Sequence, residues 1–224
     1  MEAGAGAPKR KINECGVLLR DLPPEVEEAI AVVEGWRRGH AAPLARIAET
    51  LQEHTPEVAQ RLKRFDAILN KLRRHPRMKL SQMEDVAGVR ATFETQAQVL
   101  HVAAALVDAP PGTLRRKRMY IDGADPGPKG DGYRAVHLVI DDDGRFVEIQ
   151  LRTQRQDAWA QMVERDTRRL GAALKFGGGP EDLRDFYRMV SEEFAMLDAA
   201  VEPTQAFTDA LAQRYAATRR HFRR

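Results

Sequence analysis

The most concentrated positive charge of the chain lies between Arg61 and Lys79. This run, RLKRFDAILNKLRRHPRMK, holds eight lysines or arginines against one acid, Asp66, which gives a net charge of +7. The whole chain of 224 residues carries only +3, from 36 basic and 33 acidic side chains, so the remainder is net acidic. Such a local excess is typical of a site for a polyanion, either a polyphosphate or a nucleic-acid backbone. A solvated helix face gives the same count, so charge alone leaves both interpretations open.

Two acidic residues lie at positions suited to bind a divalent metal ion. Asp85 precedes a strand-like run, VAGVRATF, and Glu148 lies inside a second one, FVEIQLRT. Alternation along the second run places Glu148, Gln150 and Arg152 on one face. Mg²⁺ takes oxygen ligands, often one or two carboxylates together with substrate phosphates. The two acids are therefore candidate metal ligands, although each could also be an ordinary turn or surface residue.

A third segment combines glycines with an aromatic residue, KGDGYRAVH at residues 129–137. Glycines let the backbone approach a ligand closely, and Tyr133 is placed to stack on a base. Tyr133 and His137 fall on one face of an extended chain, although a lone histidine in a strand is more often structural. The phosphate-loop, dinucleotide-binding, serine-triad and zinc-hydrolase signatures are absent from the sequence.

Composition excludes several classes of protein. With 43% hydrophobic and 31% charged residues, the chain is neither a disordered nor a membrane protein. No apolar run approaches the roughly 18–20 residues of a membrane helix, and the first residues lack the apolar segment of a secretory signal. The single Cys15 cannot form an internal disulfide, and no Cys/His spacing fits zinc. We expect a cytoplasmic protein without membrane association.

Helices are predicted to precede the sheet that carries these residues. Residues 1–20 show no clear period and are expected to be flexible. Apolar periodicity predicts a helix that begins near Pro24 and a second that opens near Pro43 and covers about 44–51. A third helix is predicted from Thr55, as N-cap, to about Arg74.

After His75-Pro76 the pattern changes to strands, predicted at 86–93, 114–121, 134–140 and 145–153, with a helix at 95–107. Helices at about 154–174, 181–200 and 204–222 follow, with a break at Gly177–Pro180. This order predicts an α+β fold, a small mixed β-sheet flanked by N- and C-terminal helices. We expect one domain over 21–224, made of N-terminal helices (21–58), a catalytic core (59–176) and C-terminal helices (181–224).

Four segments, in order, resemble the synthetase domain of the RelA/SpoT family, the alarmone synthetases. RLKRFDAILNK is similar to the basic segment R-x-K-x-x-x-S-I-x-x-K, and EDVAGVR is similar to D-I-A-G-x-R. KGDGYRAVH is similar to P-K-x-x-G-Y-R-S-x-H, and VEIQLRT is nearly identical to V-E-[IV]-Q-[IL]-R-T. The following AWA and the later LKFG also fit, so the resemblance runs from about Arg61 to Lys175. The sequence departs from the family at Ala67, where the family has serine, and at MYID, where it often has DYI.

The resemblance implies a nucleotidyltransferase-like synthetase core that transfers the β,γ-pyrophosphate of ATP to a ribose 3′-hydroxyl with Mg²⁺ as cofactor. Such chemistry requires positioning, a metal and neutralising cations more than a covalent nucleophile. By this resemblance Asp85 and Glu148 hold the metal, and Glu148 is also the candidate base for the 3′-hydroxyl. The residues that it implies for ATP are Arg61, Lys63, Lys71 and Arg90, and those for the acceptor are Lys129, Tyr133, His137, Gln150 and Arg152.

The resemblance leaves the acceptor open. Alarmone synthetases act on GDP or GTP, whereas a toxic branch of small members modifies the 3′-CCA end of tRNA. WRRGHAAPL, from Trp36 to Leu44, and the run MKLSQMEDVAG resemble that branch, although helix packing also explains Trp36 and His40. The basic C-terminal YAATRRHFRR could contact RNA or be solvated. We place tRNA first and GDP or GTP second.

Further expectations concern partners and other functions. None of the six histidines is followed by aspartate, so the hydrolase half of the family is not expected, and a restraining antitoxin protein is a candidate partner. A non-catalytic RNA-binding module on the same fold is a second class of function, ranked low because both acids are present. A nucleotidyltransferase that leaves a nucleoside monophosphate on the acceptor is a third.

Overall fold

The computed structural model describes residues 6–21, 26–171, 174 and 178–222, and these form two compact units. The first comprises the described residues of Met1–Ala91 with Ala105–Lys117 and Leu138–Gln150. The second comprises Thr92–Ala104, Arg118–His137 and the described residues of Leu151–Arg224. The chain passes from one unit to the other several times, and the domain limits expected from the sequence stay a prediction.

Three helices open the first unit, α1 (Lys9–Asp21), α2 (Glu27–Arg38) and α3 (Ala41–Gln52). The sequence predicts α2 and α3 but not α1. The expectation of a flexible segment over 1–20 does not hold from Lys9 onward, because Ile12, Cys15 and Leu19 recur at helical spacing and are buried in one cluster with residues of α2. The predicted helix start near Pro24 lies outside the described residues.

The third predicted helix is instead a strand followed by a helix, β1 (Val58–Leu62) and α4 (Phe65–Arg74). β1 pairs antiparallel with β2 (Ala87–Phe93), with Val58 opposite Ala91 and Leu62 opposite Ala87. The ladder hydrogen bonds to a buried neighbour outweigh the modest helical propensity of VAQRL. Thr55 accepts a hydrogen bond from the Glu57 backbone at 3.2 Å and so stabilises a turn instead of capping a helix.

The α+β prediction is confirmed by a five-stranded sheet in the order β1-β2-β5-β4-β3, flanked by helices. Its other strands are β3 (Thr113–Tyr120), β4 (Ala135–Asp142) and β5 (Arg145–Thr153), close to their predicted limits. β4 and β5 form the predicted hairpin around Asp143 and Gly144, both with positive φ (51° and 75°), as a tight two-residue turn requires. Helix α5 (Gln96–Asp108) connects β2 to β3.

Helices α6 (Gln154–Leu170), α7 (Glu181–Asp198) and α8 (Gln205–Thr218) lie in the second unit. Thr153 and Gln156 form a capping box that fixes the start of α6 directly after β5. Trp159 is buried, and its indole N–H donates to the Tyr187 carbonyl of α7 at 2.7 Å. The predicted break at 177–180 lies partly outside the described residues. Within the described ranges, no helix is both long and apolar enough to cross a bilayer.

Trp36 and His40 belong to the core of the first unit, as the packing interpretation predicts. They are 2% and 1% exposed, and their rings meet edge to face at 4.8 Å. Nδ1 of His40 donates to the Trp36 carbonyl at 2.9 Å. Burial lowers the pKa of His40 to about 4, although its hydrogen bond to Trp36 acts in the opposite direction. The segment that resembles toxin-like members is therefore structural at these two positions.

Because His40 is held neutral, we predict that acid destabilises the first unit through this side chain. A folded-state pKa of about 4, below the unfolded value of about 6.5, gives stability that is complete above pH 6.5 and is lost as pH falls towards 4. The free energy of unfolding should decrease by about 1.4 kcal/mol per pH unit in this window. Urea denaturation of the wild type and of His40→Gln at several pH values measures it. Equal slopes for the two proteins would contradict the prediction.

Candidate active site

One face of the β1–β2 pair carries two arginines. Arg61 lies opposite Gly88, and Ala59 lies opposite Arg90. Directly paired residues point to the same side of a sheet, so Arg61 and Arg90 share a face, with Gly88 beside them. The other face of β2 is closed, because Val89 and the other alternate residues are buried. The open face therefore presents two guanidinium groups next to a position without a side chain.

Asp85 lies between two lysines that come from different elements. Its Oδ2 accepts a hydrogen bond from Nζ of Lys63 at 3.0 Å, and its Oδ1 accepts one from Nζ of Lys71 at 2.7 Å. Lys63 directly follows β1, where its backbone N–H donates to the Val86 carbonyl at 2.7 Å, while Lys71 belongs to α4. The three side chains are 13–24% exposed. We call Lys63, Lys71 and Asp85 the carboxylate clamp.

The clamp keeps Asp85 ionised. Burial by itself raises the pKa of this carboxyl, but the hydrogen bonds and charges of Lys71 and Lys63 outweigh burial and hold the pKa below its ordinary value. The clamp has one negative and two positive charges, so it carries a net positive charge in a half-buried place. An anion that reaches it meets two cations that are already desolvated and positioned.

Glu148 lies on β5, the strand next to β2 in the sheet. Its Oε2 accepts a hydrogen bond from Nε2 of Gln150 at 2.8 Å, and both side chains are half-buried on the alternating face that the sequence predicts. β2 and β5 approach closely at Gly88, where a Cβ would lie 4.0 Å from the Glu148 carbonyl oxygen. Glu148 and Asp85 therefore belong to the same unit, on or beside neighbouring strands.

The oxygen donors of Asp85 and Glu148 suit Mg²⁺. Within the described ranges, no group of three or more His, Cys, Asp or Glu side chains is arranged to hold a metal ion. Magnesium sites in nucleotide enzymes commonly use one or two carboxylates and complete their shell with substrate phosphates and water. Two carboxylates in a unit that also holds two lysines and two arginines fit that pattern.

A second cluster, in the second unit, surrounds Tyr133. Its hydroxyl accepts a hydrogen bond from Nη2 of Arg152 at 2.8 Å and shares another with Nε2 of His137 at 2.6 Å. Nζ of Lys129 lies 4.6 Å from the ring centroids of both Tyr133 and Tyr120. Arg152 is buried and is itself held by Asp157 at 3.0 Å. The hydroxyl end of Tyr133 is thus fixed by hydrogen bonds, and a cation lies over its ring.

The chain between Asp122 and Tyr133, here called the glycine loop, is fastened at both ends by Arg134. The buried guanidinium donates to both Asp122 carboxylate oxygens at 3.1 Å and to Ser191 of α7. Ser191 also donates to the Gly132 carbonyl. Gly132 has φ +94°, and a Cβ there would lie 3.1 Å from Ser191 Cβ and 3.2 Å from Arg188 Cα. The loop is therefore pressed against α7.

A cavity of about 440 Å³ lies beside the glycine loop in the second unit. Charged side chains of both signs dominate its wall. The lining residues are Lys129, Gly130, Asp131, Glu181, Arg184, Asp185 and Arg188.

The residues singled out from the sequence thus fall into two groups. Arg61, Lys63, Lys71, Asp85, Arg90, Glu148 and Gln150 lie in the first unit, and Lys129, Tyr133, His137 and Arg152 lie in the second. Gln150, grouped with the acceptor residues in the sequence, lies in the first unit and contacts Glu148, and its role towards an acceptor stays a prediction. The sequence does not indicate Tyr120, Arg134 or Ser191. Of these three, only Tyr120 could have been found from its local sequence, because it is the tyrosine of MYID. The hydrogen bond between Arg134 and Ser191 joins residues that are 57 positions apart.

The basic C-terminal segment is partly neutralised within the second unit. Arg220 pairs with Asp182 at 3.0 Å, His221 pairs with the same carboxylate at 2.9 Å, and Arg214 lies 3.6 Å from Asp185. Arg223 and Arg224 lie outside the described residues. These ion pairs reduce the charge that the segment could offer to an RNA backbone.

We predict that Asp85→Asn destabilises the protein. The amide leaves Lys63 and Lys71 uncompensated, which should lower the free energy of unfolding at pH 7 by about 2–4 kcal/mol. The depressed Asp85 pKa means that its contribution exists above the unfolded value of about 3.9 and is lost as pH falls through the folded value. The difference between variant and wild type should therefore shrink in acid. Asp108→Asn, at an exposed position, is the control, and an equal effect of both changes would refute the prediction.

Gly132→Ala should also destabilise the protein, by about 2 kcal/mol, because it adds a clash with α7 to an unfavourable positive φ. Gly130→Ala is a matched control two residues away, since a Cβ there meets nothing within 4 Å. Thermal and urea unfolding of both variants measure the difference. Similar losses for the two would show that the loop is not pressed against α7 as described.

Comparisons with known proteins place the central part of the chain in a family. Residues 60–168 match the family profile described as "Region found in RelA / SpoT proteins". An uncharacterized protein of Mycobacterium tuberculosis is 32% identical over 183 residues, which cover 77% of this chain and 63% of the relative. A Mycobacterium bovis protein gives the same values. The chain thus spans less than two thirds of the length of these curated relatives.

Solved structures of Bacillus subtilis share the fold. Small alarmone synthetase 1 bound to its product pppGpp has a TM-score of 0.62 at 24% identity, with 75% of this chain and 94% of that chain covered. Another structure of synthetase 1 has a TM-score of 0.54 at 26% identity, covering 74% and 93%. Small alarmone synthetase 2 has a TM-score of 0.56 at 25% identity, covering 71% and 88%. Residues 60–168 therefore form a RelA/SpoT-family domain.

Proposed function

We propose that the protein transfers the β,γ-pyrophosphate of ATP to a ribose 3′-hydroxyl, and that its acceptor is the 3′-CCA end of tRNA. The observation that carries the proposal is the carboxylate clamp. In it Asp85 accepts hydrogen bonds from Lys63 and Lys71, two cations that suit the binding of phosphate. Its chemistry suits a polyphosphate donor with a metal, and the family supports the reaction type.

Binding of the donor follows from an exchange of partners in the clamp. The triphosphate of ATP offers Lys63 and Lys71 stronger anionic acceptors than one carboxylate, so both lysines turn to phosphate oxygens. The exchange leaves the Asp85 oxygens available as metal ligands. Arg61 and Arg90, on the open face of the β1–β2 pair, add guanidinium donors to the phosphates. Mg²⁺ held by Asp85 and Glu148 would neutralise charge on the transferred group.

The transfer itself requires one proton to be removed from the acceptor. Glu148 takes the proton of the 3′-hydroxyl, whose oxygen forms a bond to the β-phosphorus of ATP. The bond from that phosphorus to the oxygen bridging the α- and β-phosphates breaks, and AMP leaves. Gln150 donates its amide N–H to one Glu148 oxygen, and this hydrogen bond orients the carboxylate for removal of the 3′-hydroxyl proton.

The cluster around Tyr133 supplies the acceptor site. Every base has a π-face, and stacking on a fixed aromatic ring contributes about 1–3 kcal/mol. Arg152 and His137 fix the Tyr133 hydroxyl, while Lys129 adds a cation beside the ring. Such a platform fits a terminal nucleotide of RNA and a free guanosine nucleotide equally.

The choice between these acceptors rests on different observations. The run MKLSQMEDVAG, residues 78–88, resembles toxin-like members and favours tRNA, which would also call for an antitoxin protein as partner. Similarity to two Bacillus subtilis alarmone synthetases at 25% and 26% identity favours GDP or GTP, the second candidate. We place the protein in the cytoplasm, where ATP and either acceptor are present.

The deciding experiment supplies ATP labelled at the γ-phosphate, Mg²⁺, and either tRNA or GDP. We expect label in tRNA, released by nuclease as a 3′-pyrophosphorylated adenosine. Label only in a guanosine nucleotide would eliminate the tRNA version, and a product that carries a nucleoside monophosphate would identify a nucleotidyltransferase. Absence of transfer to either acceptor would leave a non-catalytic role.

Glu148→Gln should reduce kcat by a factor of about 10²–10⁴, because the amide cannot accept the proton. The change keeps the shape of the side chain, so binding of ATP should weaken less than turnover. Glu94→Gln, at an exposed position after β2, is the control and should retain full activity. Unchanged transfer by Glu148→Gln would refute the role of Glu148 as base.

A further inference from the structure

We propose that the cavity beside the glycine loop binds the part of the acceptor attached to its 5′ side, which for an RNA end is the penultimate nucleotide. The proposal rests on the proposed function, because it concerns the acceptor of that reaction. The reacting group is the 3′-hydroxyl of the terminal ribose, so the RNA chain leaves from the 5′ side of the same nucleotide. A pocket for that side must therefore lie next to the stacking platform.

The position of the cavity meets this requirement. Lys129 is part of its wall, and the Nζ of the same lysine lies 4.6 Å from the ring centroids of Tyr133 and Tyr120. One side chain thus connects the platform to the cavity. Both belong to the second unit, and the loop between them is fixed by Arg134 and Ser191. A nucleotide stacked on Tyr133 would have Lys129 beside it and the cavity beyond.

The wall of the cavity carries groups that recognise a nucleotide rather than a phosphate alone. Arg184 and Arg188 are four residues apart on α7, and therefore lie on one face of the helix. Guanidinium groups bind phosphate with two parallel hydrogen bonds. The wall also holds the carboxylates of Asp131 and Glu181, which suit the exocyclic amino group of cytosine. A site for a bare diphosphate would not need these acids.

The pairing of Arg188 shows how a ligand could be accommodated. Arg188 forms an ion pair with Asp185, one helical turn away, and the Arg188 side chain is 51% exposed. Asp185 also lies 3.6 Å from Arg214, so it keeps a cationic partner when Arg188 turns to a phosphate. The volume of about 440 Å³ falls within the range of about 300–1,000 Å³ for small-molecule sites. One nucleotide is a ligand of that class.

The test compares two short acceptors, AMP and the dinucleotide CpA, which differ only on the 5′ side of the adenosine. With wild-type protein, kcat/KM for pyrophosphate transfer to CpA should exceed that to AMP by about tenfold, mainly through a lower KM. In the double variant Arg184→Gln/Arg188→Gln the ratio should fall to about one. The control variant Arg10→Gln/Arg168→Gln makes the same change of charge at two exposed positions outside the cavity wall and should keep the wild-type ratio.

Binding of a fluorescent CpA, measured by anisotropy without ATP, gives a readout that does not depend on turnover. Loss of this affinity in Arg184→Gln/Arg188→Gln, with thermal unfolding unchanged, would support the proposal even if no transfer were detected. A wild-type ratio near one for CpA over AMP, with transfer to tRNA intact, would overturn the inference and leave the proposed function standing. A double variant that weakens transfer to GDP but keeps the CpA preference would also overturn it, because the cavity would then serve the 5′-phosphates of a mononucleotide.

Discussion

The hydrogen bonds of Lys63 and Lys71 to one carboxylate constrain the fold of the first unit. In an unbroken helix these lysines would be eight residues and about 12 Å apart along the axis, so both would have to extend towards each other to meet one side chain. In the structure β1 ends at Leu62 and α4 begins at Phe65, and Arg64 is extended between them. Pairing of β1 with β2 then brings Lys63 beside Val86, next to Asp85. The geometry of the carboxylate clamp thus depends on an edge strand and one bend in the chain.

The clamp also explains how a cationic site is tolerated without its ligand. Two half-buried ammonium groups lose much of their hydration, and a single missing partner would be costly. Asp85 supplies a negative charge and satisfies one hydrogen bond of each lysine. It does not neutralise both, so the remaining positive charge still attracts an anion. Stability and affinity are therefore linked through one side chain, and a stronger carboxylate partner for the lysines would compete with the substrate.

Sequence patterns predict most helices and strands here, because α2, α3, β2, β4 and β5 each have an internal apolar period that agrees with their burial. β1 is missed because its partner β2 lies about 25 residues further on, and VAQRL has no clear strand period of its own. The resemblance to a known family predicts candidate residues for the site. It does not indicate what holds them. The contact of Arg134 with Ser191 spans 57 residues, and no local pattern contains that information.

The candidate side chains of the first unit and those of the second unit differ in how easily they can be substituted. The residues of the first unit contact one another through the clamp, the β1–β2 register and the Glu148–Gln150 hydrogen bond. A substitution there therefore affects several partners at once. Around Tyr133, the buried contacts are those of Arg152 with Asp157 and of Arg134 with Ser191, whereas Glu181, Arg184 and Arg188 of α7 line the cavity at exposed positions. Substitutions at exposed positions on that face of α7 change the charge of the cavity wall at a smaller cost in stability than substitutions in the clamp. We therefore expect the cavity wall to be the part of the second unit whose chemistry can change most easily while the fold is kept.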